Sequence, residues 1–191
     1  MIPIIHRVNT LEKLDSLDSN VGIEIDIRSE NGNLVLSHDP QKKSLSLIEF
    51  MENYDKKLIV ANIKESGIED SVIEYFTEKG INDFFLLDVE FPFILNNFEK
   101  SGKFLSLRFS KYESVESVVN FIDKVQWLWI DTYEDFFLDE QIADILRRFK
   151  TVLVSPSRWT SEKNIQYYLS KLKEFEINLS GVMVESNEEI N

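Results

Sequence analysis

The chain carries only two histidines, and each closes an apolar run: Ile2-Pro3-Ile4-Ile5 leads into His6, and Leu34-Val35-Leu36-Ser37 into His38. Between them, Gly22-Ile23-Glu24-Ile25-Asp26-Ile27-Arg28 alternates like a strand and throws Glu24 and Asp26 onto one face. Imidazoles titrate near neutrality, so a pair of them can remove one proton and deliver another. Two carboxylates side by side on a buried strand repel each other and lose hydration unless a positive charge lies between them. Oxygen donors favour Mg2+ or Ca2+ for that charge, and Asn62, on the same side as Lys64, could add a neutral oxygen. Arg7 and Lys64 suit phosphoryl oxygens, the first as a planar fork and the second as a point charge. The chemistry such a set performs is metal-assisted cleavage of a phosphodiester. A plainer reading pairs Glu24 and Asp26 with Arg7, Arg28 or Lys64 as ion pairs and makes the histidines hydrogen-bonded rim residues. Asp39 either orients His38 or begins the turn at Pro40.

Positioning these groups requires β-rich runs with helices between them. Strands are expected at Ile2–Ile5, Val21–Ile27, Leu58–Ile63, Phe84–Leu87, Phe104–Leu107, Trp127–Ile130, Thr151–Val154 and Val182–Val184. A short extra strand at Leu34–Ser37 follows Glu30-Asn31-Gly32-Asn33, where Asn-Gly signals a hairpin. Helical spacing falls at Leu11–Leu17, Leu45–Asn53, Ile68–Lys79, Pro92–Lys100, Val115–Lys124, Asp139–Phe149 and Ser161–Phe175, with Asn9-Thr10 and Ser161 as starting caps. Eight strands alternating with helices is the count of a (β/α)8 barrel, here minimal in length and with a β-hairpin inserted after strand two. A doubly wound open sheet has the same alternation, but no G-x-G-x-x-G loop follows the first strand. The expectation is one domain over residues 1–191, because no linker, repeat or low-complexity stretch interrupts the chain.

In a barrel, the C-terminal strand ends converge on one mouth. In chain order they supply His6 and Arg7, Glu24 and Asp26, Asn62 and Lys64, Asp88, Arg108, Asp131, Ser155 with Arg158, and Glu185. The first three strands hold the densest set, so the site is expected on their side. Arg158 is a further candidate substrate contact. Trp127 and Trp129 are read as core, while Tyr133, Phe136 and Phe137 either floor a pocket or pack.

A net charge of -13 repels nucleic-acid polymers, and no basic run reverses it. The absence of cysteine excludes disulfides and thiolate chemistry and fits a cytoplasmic setting. No stretch reaches the roughly 18 apolar residues of a membrane span, and the N-terminus lacks a signal-peptide pattern. A small soluble partner is therefore expected.

His6-Arg7, then Gly22-x-Glu24-x-Asp26-Ile27, then a hairpin ending in His38-Asp39, then Lys64 on the next strand, resembles the glycerophosphodiester phosphodiesterase family. That family belongs to a barrel superfamily with phosphatidylinositol phospholipase C and sphingomyelinase D. The resemblance covers about the first third of the chain and rests on order and spacing together. It implies that His6 and His38 are the acid–base pair, that Glu24 and Asp26 hold the metal, and that Lys64 and Arg7 contact phosphate. The chain departs from the pattern in three places. Val8 stands where the family has glycine, only Asn9-Thr10 remain of a Glu-Asn-Thr segment, and Asn62 replaces a metal-binding carboxylate. The resulting His-x-Val-Asn spelling is closer to the sphingomyelinase D type.

The leading expectation is a phosphodiesterase of this barrel type using Mg2+ or Ca2+ on a small soluble phosphodiester, glycerophosphodiester-like or nucleotide- or sugar-linked. Two rivals remain. One is a degenerate barrel that binds a phosphorylated ligand without turnover. The other is a glycosidase using Glu24 and Asp26 as its carboxylate pair, since same-face strand neighbours lie about 7 Å apart.

Overall fold

The computed structural model describes residues 1–40, 42, 44–159 and 164–185. Its strands, in chain order, are β1 (Ile2–Ile5), β2 (Gly22–Glu30), β3 (Asn33–Leu36), β4 (Leu45–Ser46) and β5 (Leu58–Ile63). Then follow β6 (Phe84–Leu87), β7 (Ser106–Phe109), β8 (Trp127–Ile130), β9 (Lys150–Val154) and β10 (Leu179–Val184). β1 pairs in parallel with both β2 and β10, which an open sheet with β1 at an edge would forbid. The ring continues through β5 and β6 on one side and through β9, β8 and β7 on the other. β6 and β7 complete it through a single parallel bridge, Leu86 to Leu105, reinforced where Ser106 Oγ donates to Leu86 O. The fold is a (β/α)8 barrel.

β3 and β4 stand outside the ring as an antiparallel extension of β2. The turn at Asn31-Gly32 has φ of 52° and 80°, the paired positive values that a two-residue hairpin needs. Glu30 therefore faces Asn33, and this register brings the chain back along β2 to leave His38 beside the mouth.

Helices α1 (Leu11–Asp15), α2 (Leu47–Met51), α3 (Glu69–Glu78), α4 (Phe91–Ser101), α5 (Glu116–Val119), α6 (Glu140–Leu146) and α7 (Ile165–Glu174) follow the first seven barrel strands. Alternation along the strands separates two apolar regions. Ile5, Ile23, Ile25, Ile59 and Ala61 face outward to the helices and join one core. Ile4, Leu58, Val60, Phe85, Leu87, Trp127, Trp129, Val152, Val154 and Met183 fill the interior. Trp127 and Trp129 are thus core, and Phe85 stacks on Trp127 at 4.5 Å.

Several boundaries differ from expectation for local reasons. A 3-10 turn over Gly102–Phe104 delays β7 by two residues, so Arg108 sits within the strand. Leu45–Ser46 pairs with β3 and shortens the following helix. The helix expected over Val115–Lys124 shrinks to α5. Its Ser117 and Asn120 side chains bond back to Ser114 O and Glu116 O, and Asp123 turns to φ 62°. Asn164 caps α7 by accepting from Tyr167 N, and the expected cap at Ser161 lies outside the described residues. Among the described residues, no helix is long and apolar enough to cross a membrane.

Close approach fixes one glycine. A Cβ on Gly102 would stand 1.8 Å from the Lys124 carbonyl oxygen, a backbone atom that cannot rotate away. Gly102→Ala is expected to destabilise the protein by about 3 kcal/mol or to prevent folding. Urea denaturation checks this, and a change below roughly 1 kcal/mol would show that the loop yields.

Candidate active site

The inner face of β1 runs Ile2, Ile4, His6, so the histidine is the polar cap on an apolar column. Glu24 and Asp26 sit above Gly22 in the same way, and Asn62 and Lys64 above Leu58 and Val60. The register places Asp26 opposite Asn62. Polar groups from three strands therefore meet at the barrel mouth over an apolar floor.

Glu24 is 2% exposed and Asp26 fully buried. Glu24 Oε1 accepts from Asn62 Nδ2 at 2.7 Å, and Oε2 accepts from the Arg7 backbone N–H at 2.7 Å. Arg7 adopts φ 52°, the left-handed region, and that conformation turns its N–H inward. Burial, with Asp26 adding like charge, pushes the Glu24 carboxyl up to about 7, against the opposing pull of these hydrogen bonds and Lys64. Asp26 Oδ2 accepts from Asn9 Nδ2 at 2.7 Å, while Asn9 Oδ1 accepts from the Asp26 N–H. Lys64 Nζ lies 3.2 Å from Asp26 Oδ1 and 3.9 Å from Asp88. That first contact is an ion pair without hydrogen-bond geometry, since Asp26 Oδ1 has no bonded partner.

His6 is buried, with Nδ1 3.0 Å from Glu185 Oε1 and Nε2 3.9 Å from Glu24 Oε2. Burial lowers its pKa to about 4; Arg158 and Arg7 push the same way, and Glu185 opposes them. The imidazole is therefore neutral at pH 7. Lys13 Nζ donates to the His6 carbonyl at 2.6 Å and braces the strand end.

His38 lies outside the barrel ring. Its Nδ1 is 2.8 Å from Asp39 Oδ1, which gives Asp39 the orienting role, and its Nε2 is 2.5 Å from Arg7 Nη2. Arg28 donates through Nε and Nη2 to the His38 carbonyl, and Ser37 N donates to Asp26 O. Of the ion pairs in the plainer reading, Lys64 meets Asp26, while Arg28 has none with the carboxylate pair among the described contacts and instead clamps the His38 loop and meets Glu65.

A cleft of about 180 Å³ opens above this floor, lined by His6, Arg7, Glu24, Asn62 and Lys64 on one side. Arg108, Asp131, Tyr133, Arg158 and Trp159 line the other, so the site spans the mouth instead of hugging the first three strands. Asp26 and His38 do not line it. Arg108 pairs with both Asp88 and Asp131, and burial still pushes Asp131 up to about 6 despite that guanidinium. Arg158 lies 3.7 Å from Glu185 and stacks on Trp159, whose other neighbour is Tyr133 at 4.2 Å. Phe136 is core and Phe137 is exposed, so of the three aromatics after β8 only Tyr133 reaches the cleft.

Among the described residues, no three histidine or carboxylate side chains gather as a metal-ligand group. The oxygens that the carboxylate strand and its neighbour offer a cation are those of Glu24, Asp26 and Asn62, and Asp88 and Asp131 also line the cleft. Among the described residues Asn62 Oδ1 is buried without a hydrogen-bond partner, and Asp26 Oδ1 has none beyond its ion pair with Lys64; a hard cation would satisfy both oxygens. The donor set fits such an ion, with Asn62 contributing no charge.

Sequence reasoning passes over Lys13, reads Asn9 as a helix cap and a family-segment remnant, and places Glu185 at the mouth without its contact to His6. Their work is to hold the His6 strand end, Asp26 and the His6 ring, and only proximity in the fold reveals it.

No family model matches the chain, and no curated protein matches it. Among solved structures it is similar to a glycerophosphodiester phosphodiesterase from Agrobacterium tumefaciens str. C58. The TM-score is 0.67 at 10% identity, over 99% of this chain and 98% of that one. At that identity the likeness is one of fold.

Proposed function

We propose that this chain is a cytoplasmic phosphodiesterase that cleaves a small soluble phosphodiester, glycerophosphodiester-like or nucleotide- or sugar-linked. His6 and His38 form its acid–base pair, Arg7, Lys64 and Arg158 contact phosphate, and Mg2+ or Ca2+ is held by Glu24, Asp26 and Asn62. The observation that carries this reading is a single cleft lined by the buried Glu24, a neutral His6 and four cationic side chains, Arg7, Lys64, Arg108 and Arg158. The overall field is acidic, so this local cationic rim is what an anionic substrate needs.

When bound, the cation neutralises charge on the non-bridging phosphoryl oxygens. His38, with its Nδ1–H fixed on Asp39, offers Nε2 to take the proton of an attacking water or neighbouring hydroxyl. The oxygen–phosphorus bond forms as the ester bond to the leaving alkoxide breaks. His6 delivers the proton to that alkoxide. An anionic phosphate beside His6 would favour the protonated imidazole against the burial that disfavours it.

A second reading is a barrel that binds a phosphorylated ligand without turnover. Two contacts favour it: Asn62 and Lys64 already occupy the carboxylates. Hydrolysis of bis(p-nitrophenyl) phosphate and a glycerophosphodiester panel, with Mg2+, with Ca2+ and with EDTA, separates the two. Turnover that EDTA abolishes is the expected result; phosphate binding without turnover in any condition would move the assignment to the second reading.

A further inference from the structure

Arg7 holds His38 in a way that has a chemical consequence. A guanidinium has only donors, so the His38 Nε2 lying 2.5 Å from Arg7 Nη2 must present its lone pair. Nδ1 then carries the ring proton and donates it to Asp39 Oδ1 at 2.8 Å. The base is thus in the right tautomer, and its one basic nitrogen already accepts from Arg7.

The occupying donor belongs to a fork that is half used. Nε and Nη2 form one edge of the planar guanidinium, the edge that grips two oxygens of a phosphate in parallel. Nη2 is on His38, whereas Nε is buried with no partner. Trp159 Nε1 is a second buried donor without an acceptor, and both residues line the cleft. Two such donors in one cleft describe a place for ligand oxygens. The Arg7 backbone is anchored to Glu24, so exchange of partners falls to the side chain.

We propose that Arg7 is a specificity-determining residue that masks His38 until a phosphate fills its Nε–Nη2 edge and releases the imidazole. This rests on the phosphodiesterase reading and deepens it. A tetrahedral oxyanion supplies two oxygens at fork spacing and replaces one neutral acceptor with two charged ones. A ligand lacking that group leaves the base masked, so the cleft selects for phosphate before any bond is attacked.

The test uses the intact protein and its two histidines. Acylation by diethylpyrocarbonate, resolved by peptide mass spectrometry, reads the free Nε2 of His38 against the buried His6. Loss of a charge-assisted hydrogen bond is expected to make His38 acylation about tenfold faster in Arg7→Met than in wild type. Equal rates would overturn the proposal. In wild type labelled with 15N-histidine and 15N-tryptophan, inorganic phosphate is expected to shift His38 Nε2 and the Trp159 indole saturably, and chloride at equal ionic strength is not. This titration stands even where Arg7→Met fails to fold. A Trp159 response without a His38 response sinks the proposal alone. Silence of both resonances sinks it together with the phosphodiesterase reading.

Discussion

Replacing His6 with alanine is expected to cut kcat/KM on alkyl phosphodiesters by about 10²–10⁴-fold. The size follows from the removal of a positioned general acid. Glu185, the partner of its Nδ1, does not line the cleft. The leaving group provides the discriminating measurement. An alkoxide needs a proton as it departs, while p-nitrophenolate leaves without help. His6→Ala should therefore lose far less on bis(p-nitrophenyl) phosphate than on a glycerophosphodiester. His38→Ala should lose comparably on both, because activating the nucleophile does not depend on what leaves. The opposite pattern would exchange the roles of the two histidines, and an unchanged rate in both variants would remove them from the chemistry.

Glu24→Gln is expected to stabilise the cation-free protein at pH 8 while abolishing both turnover and its response to divalent cations. The Glu24 carboxyl is raised from 4.5 to about 7 by burial and by Asp26. The native state therefore binds this proton more tightly than the unfolded chain does. Stability from the protonated form is present in full below pH 4.5 and is lost as pH rises through about 7. Glutamine mimics the protonated form and suffers no such loss. Between pH 5.5 and 8 the variant should gain on wild type by about 2 kcal/mol, read from paired denaturation curves. His6 contributes the opposite slope, since its lowered value adds stability as pH rises from about 4 to 6.5, but it does so in both proteins and cancels. The new amide has a natural fit. Its oxygen can accept from Arg7 N–H, and Asn62, by turning, can offer the Oδ1 that now lacks a partner. Wild type should gain stability from Mg2+ or Ca2+ by mass action, and the variant should not. A variant no more stable than wild type at pH 8 would mean that Glu24 is not held against its charge.

Asn62 is the neutral member of the proposed cation site. In the phosphodiesterase reading two carboxylates would hold the ion, and Lys64 competes for Asp26. Asn62→Asp is accordingly expected to tighten Ca2+ or Mg2+ by about tenfold, since ligand charge sets affinity for hard cations. Titration with Tb3+ luminescence reads this directly, without depending on activity.

Alternation and spacing alone determined much of this protein. Period-two patterning put Glu24 with Asp26, and Asn62 with Lys64, on inward faces. Asn31-Gly32 specified the hairpin because few other dipeptides accept two positive φ values. The strand count anticipated the barrel. These are local rules, in which each residue's own backbone preferences and near neighbours decide the outcome. Tertiary structure decided the rest. Whether the sheet closes depended on β1 meeting β10, a pairing across nearly the whole chain that no local signal encodes. It decided that Arg28 clamps the His38 loop, that Asn9 holds Asp26, and that Glu185 meets His6. It also decided that Arg108, Asp131 and Trp159 complete the far wall of the cleft. The Glu24 proton affinity belongs to this second group as well, because it comes from burial and from Asp26, and burial is a property of the closed barrel. A sequence lists which groups can do chemistry. Only the three-dimensional packing fixes their distances and their access to water, and those two quantities set the charge each group carries.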